Sequence, residues 1–142
     1  MLMDGTHGLI LITVVGLVIL AAYVFTKESY TSDDHPMLNE IRNNFAKINP
    51  KYANIPLKKG NSAYTENKAV ITMCLKNPKT DEYYDMNTIM YVALHELAHI
   101  ISKSHGHTEE FKNNFTNLLR KGTKLGIYNP RKPIPETYCG IN

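Results

Sequence analysis

Tyr91-Val92-Ala93-Leu94-His95-Glu96-Leu97-Ala98-His99 holds two histidines four residues apart, with a glutamate directly after the first. On an α-helix, positions i and i+4 share one face, so both imidazoles reach a single cation at about 2.0–2.1 Å. Glu96 is turned about 100° from His95. It is poorly placed to join the same metal but well placed to reach a water bound there, whose pKa zinc lowers to about 7. The surrounding residues give the helix a back. Counted at about 100° per residue from His95, the apolar residues Ile89, Ile100, Ala93, Leu97, Met90, Ile101 and Leu94 fall between roughly 120° and 260°. His95, His99 and Thr88 fall within about 40° of the origin. The predicted helix, from about Asn87 to Ser102, therefore packs its back in a core and turns its histidines to a cleft.

A catalytic zinc needs a third protein ligand and an open position. His105 and His107 both follow closely, and Gly106 allows a sharp turn that folds the chain back. The next helix is predicted from Thr108 to Lys121, with Thr108 as an N-cap type and Glu109 and Glu110 near its positive end. Its stripe of Phe111, Phe115, Leu118 and Leu119 pins it to the core, and Gly122 reads as its stop. His107 directly precedes that pinned start, which favours it as the third ligand, with His105 as the alternative. For oxyanion stabilisation, Tyr128, Arg131, Lys132 and Tyr138 all follow the last helix, and their spacing does not select among them.

HELAH (His95–His99) followed by GHTEEF (Gly106–Phe111) resembles the small zinc metallopeptidases of the SprT-like and WLM type. Those carry HExxH and then a histidine four residues before an aromatic, a spacing matched by His107 and Phe111. The resemblance covers roughly Ile71 to Leu119. It implies His95, His99 and His107 as Zn²⁺ ligands, Glu96 as general base, and a minimal zincin in which a sheet edge holds the substrate backbone as an added strand. The Ala69–Leu75 strand or its neighbour is the expected edge. The seven residues between His99 and His107 depart from the usual WLM gap, which selects His105. The chain lacks the cysteine-rich module and the strongly basic region of relatives acting on DNA–protein crosslinks, so that substrate is not carried over.

Upstream, Gly8 to Phe25 is 18 residues without a charge, with Thr13 its one polar side chain. A helix of that length spans about 27 Å, close to the roughly 30 Å hydrocarbon core of a bilayer. Residues 8–25 are therefore expected to be an uncleaved transmembrane helix after a short flank, 1–7. A cleaved signal peptide is the rival, but residues 1–7 lack the basic n-region that signals begin with. Lys27 beyond the helix, with nothing basic before it, places the domain in the cytosol. The Asn114-Phe115-Thr116 sequon has meaning only for a luminal domain and falls inside a predicted helix.

The remainder is one small domain. Residues 26–35 read as a linker, 36–128 as the zincin-like domain and 129–142, with Pro130, Pro133 and Pro135, as an extended tail. Asp33, Asp34 and Pro36 signal a helix carrying Leu38, Ile41, Phe45 and Ile48, closed by Pro50. Tyr52–Leu57 and Ala69–Leu75 read as strands, with a turn at Lys58–Asn61 between them. Tyr83 and Tyr84 read as structural. Cys74 reads as a small core residue and Cys139 as a thiol near the terminus; two lone cysteines agree with a reducing compartment. The net charge of +3 on 142 residues is mild, and no Lys/Arg face argues for nucleic-acid binding.

The expected class is thus α+β: a small β-sheet packed on the HExxH helix and neighbouring helices, preceded by one transmembrane helix. The expected function is a membrane-anchored zinc metallopeptidase acting on a protein or peptide. The alternative is a non-catalytic membrane protein with a structural zinc or a partner-binding domain.

Overall fold

A computed structural model describes residues 5–26 and 31–140, and the chain divides into two units, Met1–Tyr30 and Thr31–Asn142. The first holds one helix, α1 (Gly5–Thr26). Its leucines, isoleucines and valines from Leu9 to Leu20 are exposed. Within the apolar stretch the Thr13 hydroxyl is satisfied inside the helix, Oγ1 donating to the Ile10 carbonyl at 2.8 Å. The Gly5–Tyr23 stretch is long and apolar enough to cross a membrane.

The second unit is α+β, in the order α2 (Pro36–Ile48), β1 (Leu57–Lys59), β2 (Tyr64–Glu66), β3 (Val70–Met73), α3 (Met86–Ile101) and α4 (Glu109–Lys124). Helix α2 starts where proline at the first helical position allows. Its cap is His35, whose Nδ1 accepts the Met37 N–H at 3.2 Å, rather than either aspartate. Leu38, Ile41 and Phe45 are fully buried. Asp33 serves the sheet instead: its N–H donates to the Leu57 carbonyl at 2.8 Å and its Oδ2 accepts the Lys59 N–H at 2.7 Å. Residues 31–33, read as linker, thus cover the outer side of β1.

The strands differ from the sequence expectation in place. Asn49 accepts the Lys51 N–H and, with Pro50 following, starts a 3₁₀ turn over Pro50–Asn54, so the first strand begins only at Leu57. Lys58 and Lys59 lie in β1 rather than in a turn. The sheet order is β1-β3-β2, with β1 parallel to β3 (Leu57 beside Ile71) and β2 antiparallel to it (Thr65 beside Ile71). β3 is therefore central and buried along its whole length, which is why it reads as an unbroken apolar run. Its neighbour β2 is the exposed edge.

Helix α3 is capped by Asp85, whose carboxylate accepts the Thr88 N–H at 2.9 Å. Ile89, Met90, Ala93, Leu94 and Leu97 on its back join Ile71, Met73, Leu75 and the α2 stripe in one core. Thr88, placed on the histidine side by periodicity, is fully buried instead. Helix α4 runs through Gly122, which packs against Leu94 rather than ending the helix. The break comes at Gly126, whose φ of +71° is the left-handed conformation of a helix-terminating glycine.

Residues 129–140 form no regular element, yet they are fastened as a strap. Asn87 holds Asn129 at both backbone groups, accepting its N–H at 2.7 Å and donating to its carbonyl at 3.1 Å. At the far end Cys139 is disulfide-bonded to Cys74, 65 residues earlier, with Cα atoms 6.3 Å apart. Tyr84 packs against Tyr138, ring centroids 4.9 Å apart and tilted, and its hydroxyl accepts the Cys139 N–H at 2.8 Å. The reading of two separate thiols is corrected: Cys74 is buried at the end of β3, and the returning strap brings Cys139 to it.

Candidate metal centre

His95 and His99 lie one turn apart on the exposed side of α3. After α3 the chain turns at Gly106 (φ +78°), and Thr108 then caps α4 by accepting the Phe111 N–H at 3.3 Å. That cap fixes His107 immediately before a pinned helix. The result is a symmetrical cluster, with ring centroids 5.0 Å apart for His95–His99, His95–His107 and His99–His107 alike. Their ligand nitrogens all lie within 4.8 Å of one another. The Nε2 atoms of His95 and His107 approach to 3.1 Å. Phe111 forms a floor under all three, 4.9 Å from His95, 4.3 Å from His99 and 4.8 Å from His107. His105 lines the same cavity but is not among the converging nitrogens.

The electrostatics suit a cation. Burial, reinforced by His99 and His107, lowers the His95 pKa to about 4, and burial followed by His107 and Lys68 lowers His99. Both rings are neutral near pH 7, the state that binds metal. Three imidazoles converging on one point are a donor set of the kind divalent transition metals take. The three histidines are thus close enough to hold a metal ion.

Glu96 is 6% exposed, unusual for a carboxylate. Burial raises its pKa, opposed by a hydrogen bond from Thr65. Thr65 Oγ1 lies 2.8 Å from Glu96 Oε2 and 3.1 Å from the Glu96 carbonyl, tying the edge strand to the middle of α3. A second tie comes from the β2–β3 turn. Asn67 and Lys68 both take positive φ, 51° and 53°, the pair of left-handed residues a type I′ turn requires. A lysine there is strained by about 1 kcal/mol. Its Nζ, however, donates to the carbonyls of His99 (3.2 Å), Ser104 (2.7 Å) and Ser102, gathering the end of α3 and the loop towards His107.

Thr65 and Lys68 are invisible to motif reading, because β2 is three residues long and polar. The one sequence signal is Asn67-Lys68 preceding an apolar run, a turn-like position. Of the four candidate oxyanion donors, Tyr128, Arg131 and Lys132 border other cavities and do not line that of the histidines. Tyr138 lies beside Glu96, but its hydroxyl donates to the Cys74 carbonyl. Lys68, His105 and Tyr64 border the histidine cavity of about 630 Å³.

Three viral proteins resemble the chain. Uncharacterized protein 042R of Invertebrate iridescent virus 3 is 38% identical over 90 residues, which is 63% of this chain and 57% of its own length. Uncharacterized protein 136R of Invertebrate iridescent virus 6 is 39% identical over 89 residues, 61% of this chain and 50% of its own. Uncharacterized protein R325 of Acanthamoeba polyphaga mimivirus is 35% identical over 108 residues, 75% and 54% respectively. The chain spans about half the length of these curated relatives. No family model and no solved structure matches it.

Proposed function

We propose that the second unit is a zinc-dependent peptidase of minimal zincin-like build, similar in its motif to the SprT and WLM type, carried on α1 as a single membrane-spanning anchor. The observation that carries this reading is the convergence of His95, His99 and His107 with the half-turned, buried Glu96 beside them. A purely structural site has no use for a desolvated carboxylate, which costs stability. When bound by the three imidazoles, zinc supplies Lewis acidity towards a peptide carbonyl and acidifies the attacking water.

The chain's own groups supply the rest. Glu96, with a raised pKa, accepts a proton from the attacking water at its carboxylate and returns it to the leaving amine. Thr65 holds that carboxylate in one orientation. The outer side of β2 is unpaired among the described strands and borders the histidine cavity, so a substrate strand adds there through backbone hydrogen bonds.

Metal analysis of the full chain in detergent is expected to find about one zinc per chain. Glu96→Gln is expected to keep it and lose peptide hydrolysis by at least about a hundredfold. Zinc absent from the wild type ends this reading.

The disulfide redirects the expectation of a cytosolic domain. One lysine supports that orientation, whereas a Cys74–Cys139 bond persists in an oxidising compartment. We place the second unit on the oxidising side of the membrane. Protection of the domain from added protease in sealed microsomes supports that side, and digestion overturns it.

A further inference from the structure

A second cavity, of about 440 Å³, meets the histidine cavity at Ala63, His95 and Glu96. Its inner wall is Tyr91 and Val92, one turn before His95 on α3. Its outer wall is the strap, through Ile134, Pro135 and Tyr138. The lining is mostly apolar. The Tyr138 hydroxyl is committed to the Cys74 carbonyl, so the strap offers its ring there rather than a polar group. The charged members are Glu96, at the junction, and the exposed Glu136. The volume suits one large side chain together with part of a peptide backbone. Ala63, which both cavities share, directly precedes β2, so a segment lying along β2 reaches the mouth of this pocket at Ala63.

We infer that the strap 129–140 builds a side-chain pocket that selects peptides with a bulky apolar residue beside the bond to be cut, and that the Cys74–Cys139 bond keeps the pocket formed. This rests on the peptidase reading for what is cut, but the pocket stands on its own geometry. The strap has no helix or strand of its own. Its position over α3 comes from the Asn87 clamp at one end and the disulfide with Tyr84 at the other. Between those anchors, Pro130, Pro133 and Pro135 limit the conformations available to it. Opening the far anchor frees the outer wall while leaving in place His95 and His99 on α3 and His107 just before α4.

The test is binding rather than turnover. Full-length, zinc-loaded Glu96→Gln protein is titrated with fluorescent Gly/Ser peptides carrying a single Leu, Phe, Lys or Asp. The Leu and Phe peptides are expected to bind about tenfold or more tighter than the plain peptide. Ile134→Asp, at a half-buried position on the strap, is expected to erase that preference with zinc content unchanged. Joint replacement of Cys74 and Cys139 by serine is expected to do the same.

Equal binding of all peptides, tighter binding of the Lys peptide, or a Leu/Phe preference that survives Ile134→Asp overturns the pocket. A preference that obeys these variants, in a chain whose wild type cuts none of the peptides, supports the pocket and counts against the peptidase. Cleavage by the wild type without apolar preference does the reverse.

Discussion

Helix α3 carries Glu96 and the strap 129–140 shares a cavity with it, but the two keep their places by different means. α3 buries nine residues, Leu94 and Leu97 completely, and its register is set by periodic packing on the sheet and α4. The strap buries little beyond Cys139 and depends on one covalent bond and a few paired hydrogen bonds. Packing of the first kind is insensitive to solution conditions until the whole domain melts. Tethering of the second kind fails locally when its anchors are cut. The proposed metal holding and the proposed substrate selection therefore rest on separable parts of the molecule.

The sharpest break of that comparison lies at the ligands. His107→Ala is expected to lower zinc affinity by more than about a hundredfold, beyond what loss of an outer-shell partner costs, whereas His105→Ala largely keeps it. Competition with a zinc-sensitive dye measures both. The reverse pattern transfers the third-ligand role to His105. Next is the core. Leu97→Ala removes a fully buried side chain and should cost about 2–5 kcal/mol in denaturant unfolding.

The strap follows. Joint Cys74→Ser and Cys139→Ser should cost about 2–4 kcal/mol, while the folded protein still takes up zinc. Loss of zinc at a denaturant concentration where the domain remains folded would show that the strap and the ligands are one unit after all.

The smallest effect is that of pH on the metal-free chain. Burial holds the folded His95 pKa down at about 4, against the ordinary imidazole value of 6.5 in the unfolded chain, so the unfolded chain takes up the proton first. The stability due to neutral His95 is complete above pH 6.5 and is lost as pH falls towards 4. Glu96 acts in the opposite sense, its raised pKa costing stability as pH rises above 4.5. His95→Asn should flatten the fall of the melting temperature between pH 6.5 and 4. An unchanged slope places the sensitivity elsewhere.

What was legible in the sequence follows the same division. Nine residues around HELAH reveal α3, its back and its histidines, because helical periodicity and ligand spacing coincide there. Phe111 was legible for the same reason. β2 was not: Tyr64–Glu66 is too short and too polar to show alternation, and its place at the sheet edge comes from pairing with β3. The 65-residue separation of Cys74 and Cys139 hides a contact made only when the strap returns. Gly122 looked like a helix stop because its close approach to Leu94 is a tertiary fact. Lys68 carries no motif that marks it, because its three carbonyl partners lie more than thirty residues further along the chain.

That lysine has a mechanical consequence. A single ammonium links the hairpin bearing β2 to three carbonyls spanning His99 to Ser104. A chain that docks along β2 therefore lies against a hairpin whose one ammonium also grips the segment leading to His107.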